Sequence, residues 1–152
     1  MSDTPQKDPA LELFVVLWRA SNWVSAYAER DARCHGLNPT EFAILEALYH
    51  KGALPLQQIG EIVLISSGNI TYSVDKLERK QLLVRRPSPH DRRVIFAELT
   101  PQGHDLLAAI FPKHTEAIHQ AVSGLTPEEQ VQAAHLLKKL GLAAQKGFDR
   151  NP

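Results

Sequence analysis

Residues 64–103 read LISSGNITYSVDKLERKQLLVRRPSPHDRRVIFAELTPQG, and the order of their parts decides the fold. Ser66 or Ser67 can cap a helix start. From there Ile70, Val74 and Leu77 recur at helical spacing and, at about 100° per residue, fall on one inward side. Gly68, Asn69, Tyr72, Lys76 and Arg79 fall on the other side, with Thr71 and Ser73 on the flanks. Two apolar stretches, 82–84 and 94–97, then flank RRPSPHDRR. Pro87 and Pro89 keep that tip out of helix and at the edge of any sheet, so it is a hairpin with a long loop. A polar-faced helix running into a basic hairpin is the arrangement with which a winged helix meets duplex DNA. The helix enters the major groove, and the hairpin tip brings arginine to the backbone or the adjacent minor groove.

Each side chain on that outer face has a chemistry suited to a base or a phosphate. Asn69 can pair with adenine, Thr71 and Ser73 can reach several bases, and Lys76 can meet guanine or phosphate. Gly68 leaves room for close approach, and the free N–H groups at 66–69 suit a phosphate. Tyr72 and Arg79 complete the face. At the tip, Asp91 can hold the guanidinium of Arg93 in a bidentate pair and fix its direction toward a narrow minor groove. Arg85, Arg86 and Arg92 are candidates for phosphate contacts. The bland alternatives are an ordinary surface helix and a solvated ion pair worth ~0–1 kcal/mol.

Outward from this stretch, the chain reads as helix. Residues 9–33 carry Leu11, Phe14, Leu17, Trp18, Ser21, Val24 and Ala28 at spacings of three and four, and Gly36 can end the helix. Asn38, Pro39 and Glu41 form a capping box for a second helix that buries Phe42, Leu45 and Leu48 and closes at Gly52. Residues 54–65 read as a short third helix with Leu56, Ile59 and Val63. Thr100–Pro101 opens a fifth helix that Pro112 should bend, and Thr126 with Glu129 caps a sixth. The fold class is therefore mainly α with a small β wing, a winged helix-turn-helix in the order α1-α2-α3-α4-β-wing-β-α5-α6. Residues 1–152 form one domain, with a DNA-binding lobe at 37–99. The segments 9–36 and 100–147 carry apolar stripes too long for so small a lobe to cover, which predicts a homodimer built by the terminal helices.

Composition sets the outer limits. The apolar share of 43% fits a folded chain, and the single cysteine excludes an internal disulfide framework. No apolar run approaches a membrane span, and residues 1–10 lack a secretory pattern, so the expected location is cytoplasmic. The formal net charge is +0. Between Asp75 and Arg93, however, seven bases face three acids, which leaves +4 there and −4 for the rest. Distribution outweighs the sum for a nucleic-acid partner. An enzyme is not expected: Ser66-Ser67-Gly68 has no nearby histidine–carboxylate set, and no nucleotide loop is present. No cofactor or metal is called for, since His114 and His119, five apart, lie on different helix faces.

The stretch from Asn69 to Gly103 closely resembles the multiple-antibiotic-resistance regulator (MarR) family. The resemblance rests on Asp75-Lys76-Leu77, the strand arginine Arg85, Asp91-Arg92-Arg93 in the wing, and Leu99-Thr100-Pro101-Gln102-Gly103 at the next helix start. It implies a dimeric winged-helix transcription regulator, most often a repressor, on a pseudo-palindromic operator with half-sites about 10 bp apart or a small multiple. It also implies release of DNA by a small aromatic or phenolic acid bound between the dimerisation helices and the DNA-binding lobe. Trp18, Trp23, Tyr27 and Phe42 are the rings available to such an effector; the alternative is that they are core and dimer packing. More weakly, the chain resembles the members that answer quinones and related phenols. Other members sense oxidants through cysteine, and Cys34 lies between Arg33 and His35, a setting that favours thiol reactivity. A third possibility is a winged helix used for protein contact without DNA. One departure concerns geometry: the family usually has glycine after the lysine that ends α4, and this chain has Gln81. Either Gln81 takes positive φ at a cost of roughly 1 kcal/mol, or the helix ends differently and the wing shifts.

Overall fold

The computed structural model describes residues 8–63 and 67–150. Helix α1 (Pro9–Cys34) starts on Asp8, whose Oδ1 accepts from the amide of Ala10 at 2.9 Å. It ends where Gly36, at φ 73°, lets Leu37 donate back to Ala32 at 3.2 Å. Helix α2 (Pro39–Lys51) carries the full capping box: Glu41 N–H donates to Asn38 Oδ1 at 2.8 Å, and Asn38 N–H donates to Glu41 Oε2 at 3.3 Å. Strand β1 (Leu54–Pro55) and helices α3 (Leu56–Val63) and α4 (Ser67–Arg79) follow. Strands β2 (Leu83–Pro87) and β3 (Ile95–Leu99) form the wing, and α5 (Pro101–Ala121) and α6 (Pro127–Arg150) complete the chain. Pro112 lies inside α5. The Thr126–Glu129 capping box of α6 is present, with bonds of 2.8 and 3.2 Å.

Two boundaries differ from the sequence expectation. Leu54 and Pro55 belong to a strand rather than to α3, and β1 pairs antiparallel with β3, Leu54 opposite Ala97, giving the sheet order β1-β3-β2. Two residues are too few to show alternation, and proline suits only an edge strand. The wing ladder also runs further than expected, with Arg85 opposite Ala97, Arg86 opposite Phe96 and Pro87 opposite Ile95. The tip loop is correspondingly shorter than RRPSPHDRR.

The core lies under the sheet and among α2 to α5. Ile44, Leu45, Ile59, Val74, Leu77, Leu83 and Leu107 are fully buried. Helix α1 contributes only Ala32 to it, and no residue of α6 is buried. Instead α1 exposes Leu11, Phe14, Trp18 and Trp23, and α6 exposes Val131, Leu136, Leu142 and Phe148. The accessible surface is 11473 Å². A compact monomer of 16.9 kDa would expose roughly 7,700 Å². The excess is about half the compact value, and most of the large exposed apolar residues lie on the terminal helices.

Candidate nucleic-acid interface

Helix α4 turns Ile70, Val74 and Leu77 into the core and leaves Gly68, Asn69, Thr71, Tyr72 and Arg79 exposed. Among the described residues a β-carbon at Gly68 would meet nothing within 4 Å. The Lys76 ammonium sits 4.8 Å from the centroid of the Tyr72 ring, a cation–π pair one turn apart on the outer face. Ser67 is the first residue of α4, and Ser66 lies outside the described residues.

Ser73 corrects the sequence reading. Helical spacing puts it on the flank of the outer face, but it is buried, at 7% exposure. Positions 70, 73, 74 and 77 make one i, i+3, i+4, i+7 stripe, so the inner face takes in Ser73 whatever its polarity.

Arg85 has partners within the chain that the sequence did not show. Its Nη1 donates to Glu78 Oε2 at 2.7 Å, its Nη2 to Asp75 Oδ1, and its backbone N–H to Glu78 Oε1 at 3.2 Å. Nη2 also lies 3.4 Å from the Thr71 carbonyl oxygen. With its side chain only 24% exposed and two carboxylates holding it, this guanidinium fastens the wing to α4. The aspartate of the Asp-Lys-Leu triplet thereby acquires a role that the linear sequence did not show. Arg86 is exposed and pairs across the ladder with Glu98.

The wing tip is organised by short-range bonds. Ser88 N–H donates to the Val94 carbonyl at 2.9 Å, and the Ser88 hydroxyl accepts from His90 and Asp91 amides at 3.2 and 3.4 Å. Arg93 Nε and Nη2 donate to the two Asp91 oxygens, each at 3.1 Å, and Arg93 N–H donates to Oδ1 at 3.0 Å. The expected bidentate pair therefore forms, with Arg93 91% exposed. The Arg93 guanidinium and then its amide hold the Asp91 carboxyl below the ordinary aspartate range. Arg92 is also exposed at the tip. Helix face and hairpin tip thus present hydrogen-bonding and cationic groups with their directions set by neighbours.

Comparison with known proteins fits this geometry. The MarR family model matches residues 37–95. The HTH-type transcriptional regulator MhqR of Bacillus subtilis is 50% identical over 139 residues, covering 91% of this chain and 96% of that protein.

The chain belongs to the MarR family.

Among solved structures, Sco3205 of Streptomyces coelicolor, a MarR family regulator in complex with DNA, superposes with a TM-score of 0.79 at 25% identity. It covers 92% of this chain and 91% of its own. BpsR of Bordetella bronchiseptica, described for regulation of its DNA binding by 6-hydroxynicotinic acid, gives 0.77 at 26% identity over 86% and 98% of the two chains. Membership places the protein among transcriptional regulators rather than enzymes, on the same winged-helix fold.

Within this MarR-family chain the four candidate effector rings do not share one place. Trp18 and Trp23 are exposed on α1, in grooves lined also by Phe14, Val15 and Asn22. Tyr27 lies half-buried farther along, with the Arg30 guanidinium 5.2 Å from its ring centroid. Phe42 is buried in the core, its ring 4.3 Å from the His114 imidazole. Phe42 is thus a core residue, while the other three lie toward the surface of α1.

The sequence reading missed what surrounds His114. Its Nδ1 lies 3.1 Å from Asp31 Oδ2 on α1, and its Nε2 lies 3.9 Å from Glu46 Oε1 on α2. His35 faces the other Asp31 oxygen at 3.6 Å. Three helices thus meet at alternating imidazoles and carboxylates. The partners are 83 and 68 positions from His114, beyond the reach of any helical spacing rule. Cys34 is exposed at the end of α1, while Arg33 leans to Glu29 at 3.6 Å and His35 to Asp31. Among the described residues no helix is long and apolar enough to cross a membrane.

Proposed function

We propose that this protein is a homodimeric, sequence-specific DNA-binding repressor whose hold on DNA is released by a small aromatic or phenolic molecule. The observation that carries the DNA part is the pairing of an outer α4 face, with Asn69 and Tyr72 exposed and Lys76 half-buried against the Tyr72 ring, with an arginine oriented by Asp91 at the wing tip. Gly68, Thr71 and Arg79 add to the helix contact, with Ser66 and Ser67 at its start. Arg86 and Arg92 supply phosphate contacts, and Arg85 holds the wing in place. The DNA complex of Sco3205 supports the same mode.

Dimerisation follows from the exposed apolar residues of α1 and α6, which a second copy would cover. Two α4 helices then meet successive major-groove faces of an imperfect palindrome with half-sites about 10 bp apart or a small multiple. A dimer seated over a promoter excludes other proteins from it, and a cytoplasmic location goes with that role. The effector would act where α1 and α5 meet α2, at Phe42 and His114, with Trp18, Trp23 and Tyr27 on the dimerisation side. Regulation of BpsR by 6-hydroxynicotinic acid supports this class of ligand.

The test is enrichment of duplexes from a randomised pool by the purified protein, then mobility shifts with added catechol, salicylate or hydrogen peroxide. A palindromic consensus bound with a steep salt dependence is expected, and binding without sequence enrichment would overturn the DNA assignment. Release by a phenol is expected. Release by peroxide alone, lost in Cys34→Ser, would replace the ligand with thiol control.

A further inference from the structure

The joint between α4 and the wing rests on the first turn of α5. Gln81 sits in the left-handed region at φ 61°, which lets Leu82 N–H donate back to the Leu77 carbonyl at 3.0 Å and turns the chain into β2. The two carbonyls that this turn exposes are both taken by Thr100. Its hydroxyl donates to the Gln81 oxygen at 2.6 Å, and its backbone N–H donates to the Leu82 oxygen at 3.1 Å. The same hydroxyl oxygen accepts from Gly103 N–H at 3.0 Å, so one side chain caps α5 and grips the joint together. The Leu82 carbonyl then lies against the Gly103 backbone. A β-carbon at Gly103 would stand 1.9 Å from the Leu82 oxygen and 2.9 Å from its carbonyl carbon. Both atoms are backbone, so the clash has no side chain to relieve it.

We propose that Thr100 and Gly103 are positioning residues for DNA recognition: they set how far the recognition helix and wing of one subunit stand from the dimer axis. The proposal rests on the dimeric DNA-binding function above. Helix α5 packs along α1, whose exposed face carries the dimer contact, and its first turn carries the α4–β2 joint. Any displacement at Gly103 therefore moves α4 and the wing together relative to the partner's pair. The separation of the two helices must match a whole turn of duplex. A small displacement consequently changes which half-site spacing is read, while the bases contacted within each half-site stay the same.

The experiment takes half-sites enriched by the wild-type protein and rebuilds them with the central spacer shortened or lengthened one base pair at a time. Wild type, Gly103→Ala, Thr100→Val and Thr100→Ser are titrated against each duplex, and against random duplex at low salt. Wild type is expected to prefer one spacing. Gly103→Ala and Thr100→Val should lose about tenfold or more at that spacing, with a flattened or displaced spacer profile and unchanged low-salt binding to random duplex. Thr100→Ser, which keeps the hydroxyl, should restore the wild-type profile. Equal losses at every spacing, or profiles within twofold of wild type, would overturn the proposal. If Gly103→Ala does not fold, the Thr100 pair decides alone. If wild type enriches no site at all, the DNA-binding function fails first, and that outcome is distinct from an unaltered spacer profile.

Discussion

Replacing Lys80 with methionine is expected to destabilise the protein by about 2 kcal/mol. Lys80 Nζ lies 2.7 Å from Glu41 Oε2 and 3.3 Å from the Gly36 carbonyl, so one ammonium joins the end of α4 to α2 and to the end of α1. Glu41 is 3% exposed, and its other donor is the Asn38 amide at 3.3 Å. Removing one partner of a buried pair costs about 3–5 kcal/mol, because the remaining charge stays desolvated. The Lys80 side chain is 41% exposed, and water screens part of the attraction, which lowers the expectation to about 1.5–3 kcal/mol. For a chain of this size that corresponds to a fall in Tm of roughly 4–8 °C. The assay is urea denaturation of wild type, Lys80→Met, Glu41→Gln and the double variant at neutral pH. Because the double variant leaves no unpaired charge, it should be more stable than Lys80→Met alone by about 1 kcal/mol or more. A Lys80→Met protein within about 0.5 kcal/mol of wild type, or a double variant no better than Lys80→Met, would refute the reasoning.

Other expectations concern the interface. Arg93→Ala should weaken operator binding and reduce the salt slope by about one released counterion per wing, read from mobility shifts across a salt series; an unchanged slope would remove Arg93 from the contact. Asn69→Ala should relax base preference more than it lowers binding to random duplex, and equal losses on all sequences would deny it a reading role. Asp91 titrates below the ordinary aspartate range because Arg93 binds its ionised form. Its contribution to wing order is therefore fully present above the ordinary value and is lost only as pH falls through the depressed one. Carboxyl NMR should show this titration low in wild type and returned to the ordinary range in Arg93→Gln. Gln81→Gly should not shift the wing, since the residue already occupies positive φ; altered chemical shifts in β2 and β3 would show otherwise.

The starts of α1, α2, α5 and α6, the aliphatic positions of the α4 stripe, the wing and the Asp91–Arg93 pair are legible in the linear chain. These follow from spacings of two to four residues and from capping chemistry, which act locally and are written in order along the chain. It also pointed to the question at Gln81, where a missing glycine marked a turn that the backbone makes regardless. Other features depend on contacts between distant parts of the chain. Ser73 is buried because α4 is pressed against the core on a stripe wider than its three aliphatic residues. Arg85 meets Asp75 and Glu78 because β2 returns alongside α4. Phe42 parts from the α1 aromatics, and His114 finds Asp31 and Glu46, because three helices converge there from distant parts of the sequence. A periodicity can say which face of a helix is apolar; what that face or its rim meets depends on the angle at which another element crosses it, and that angle is a property of the packed whole.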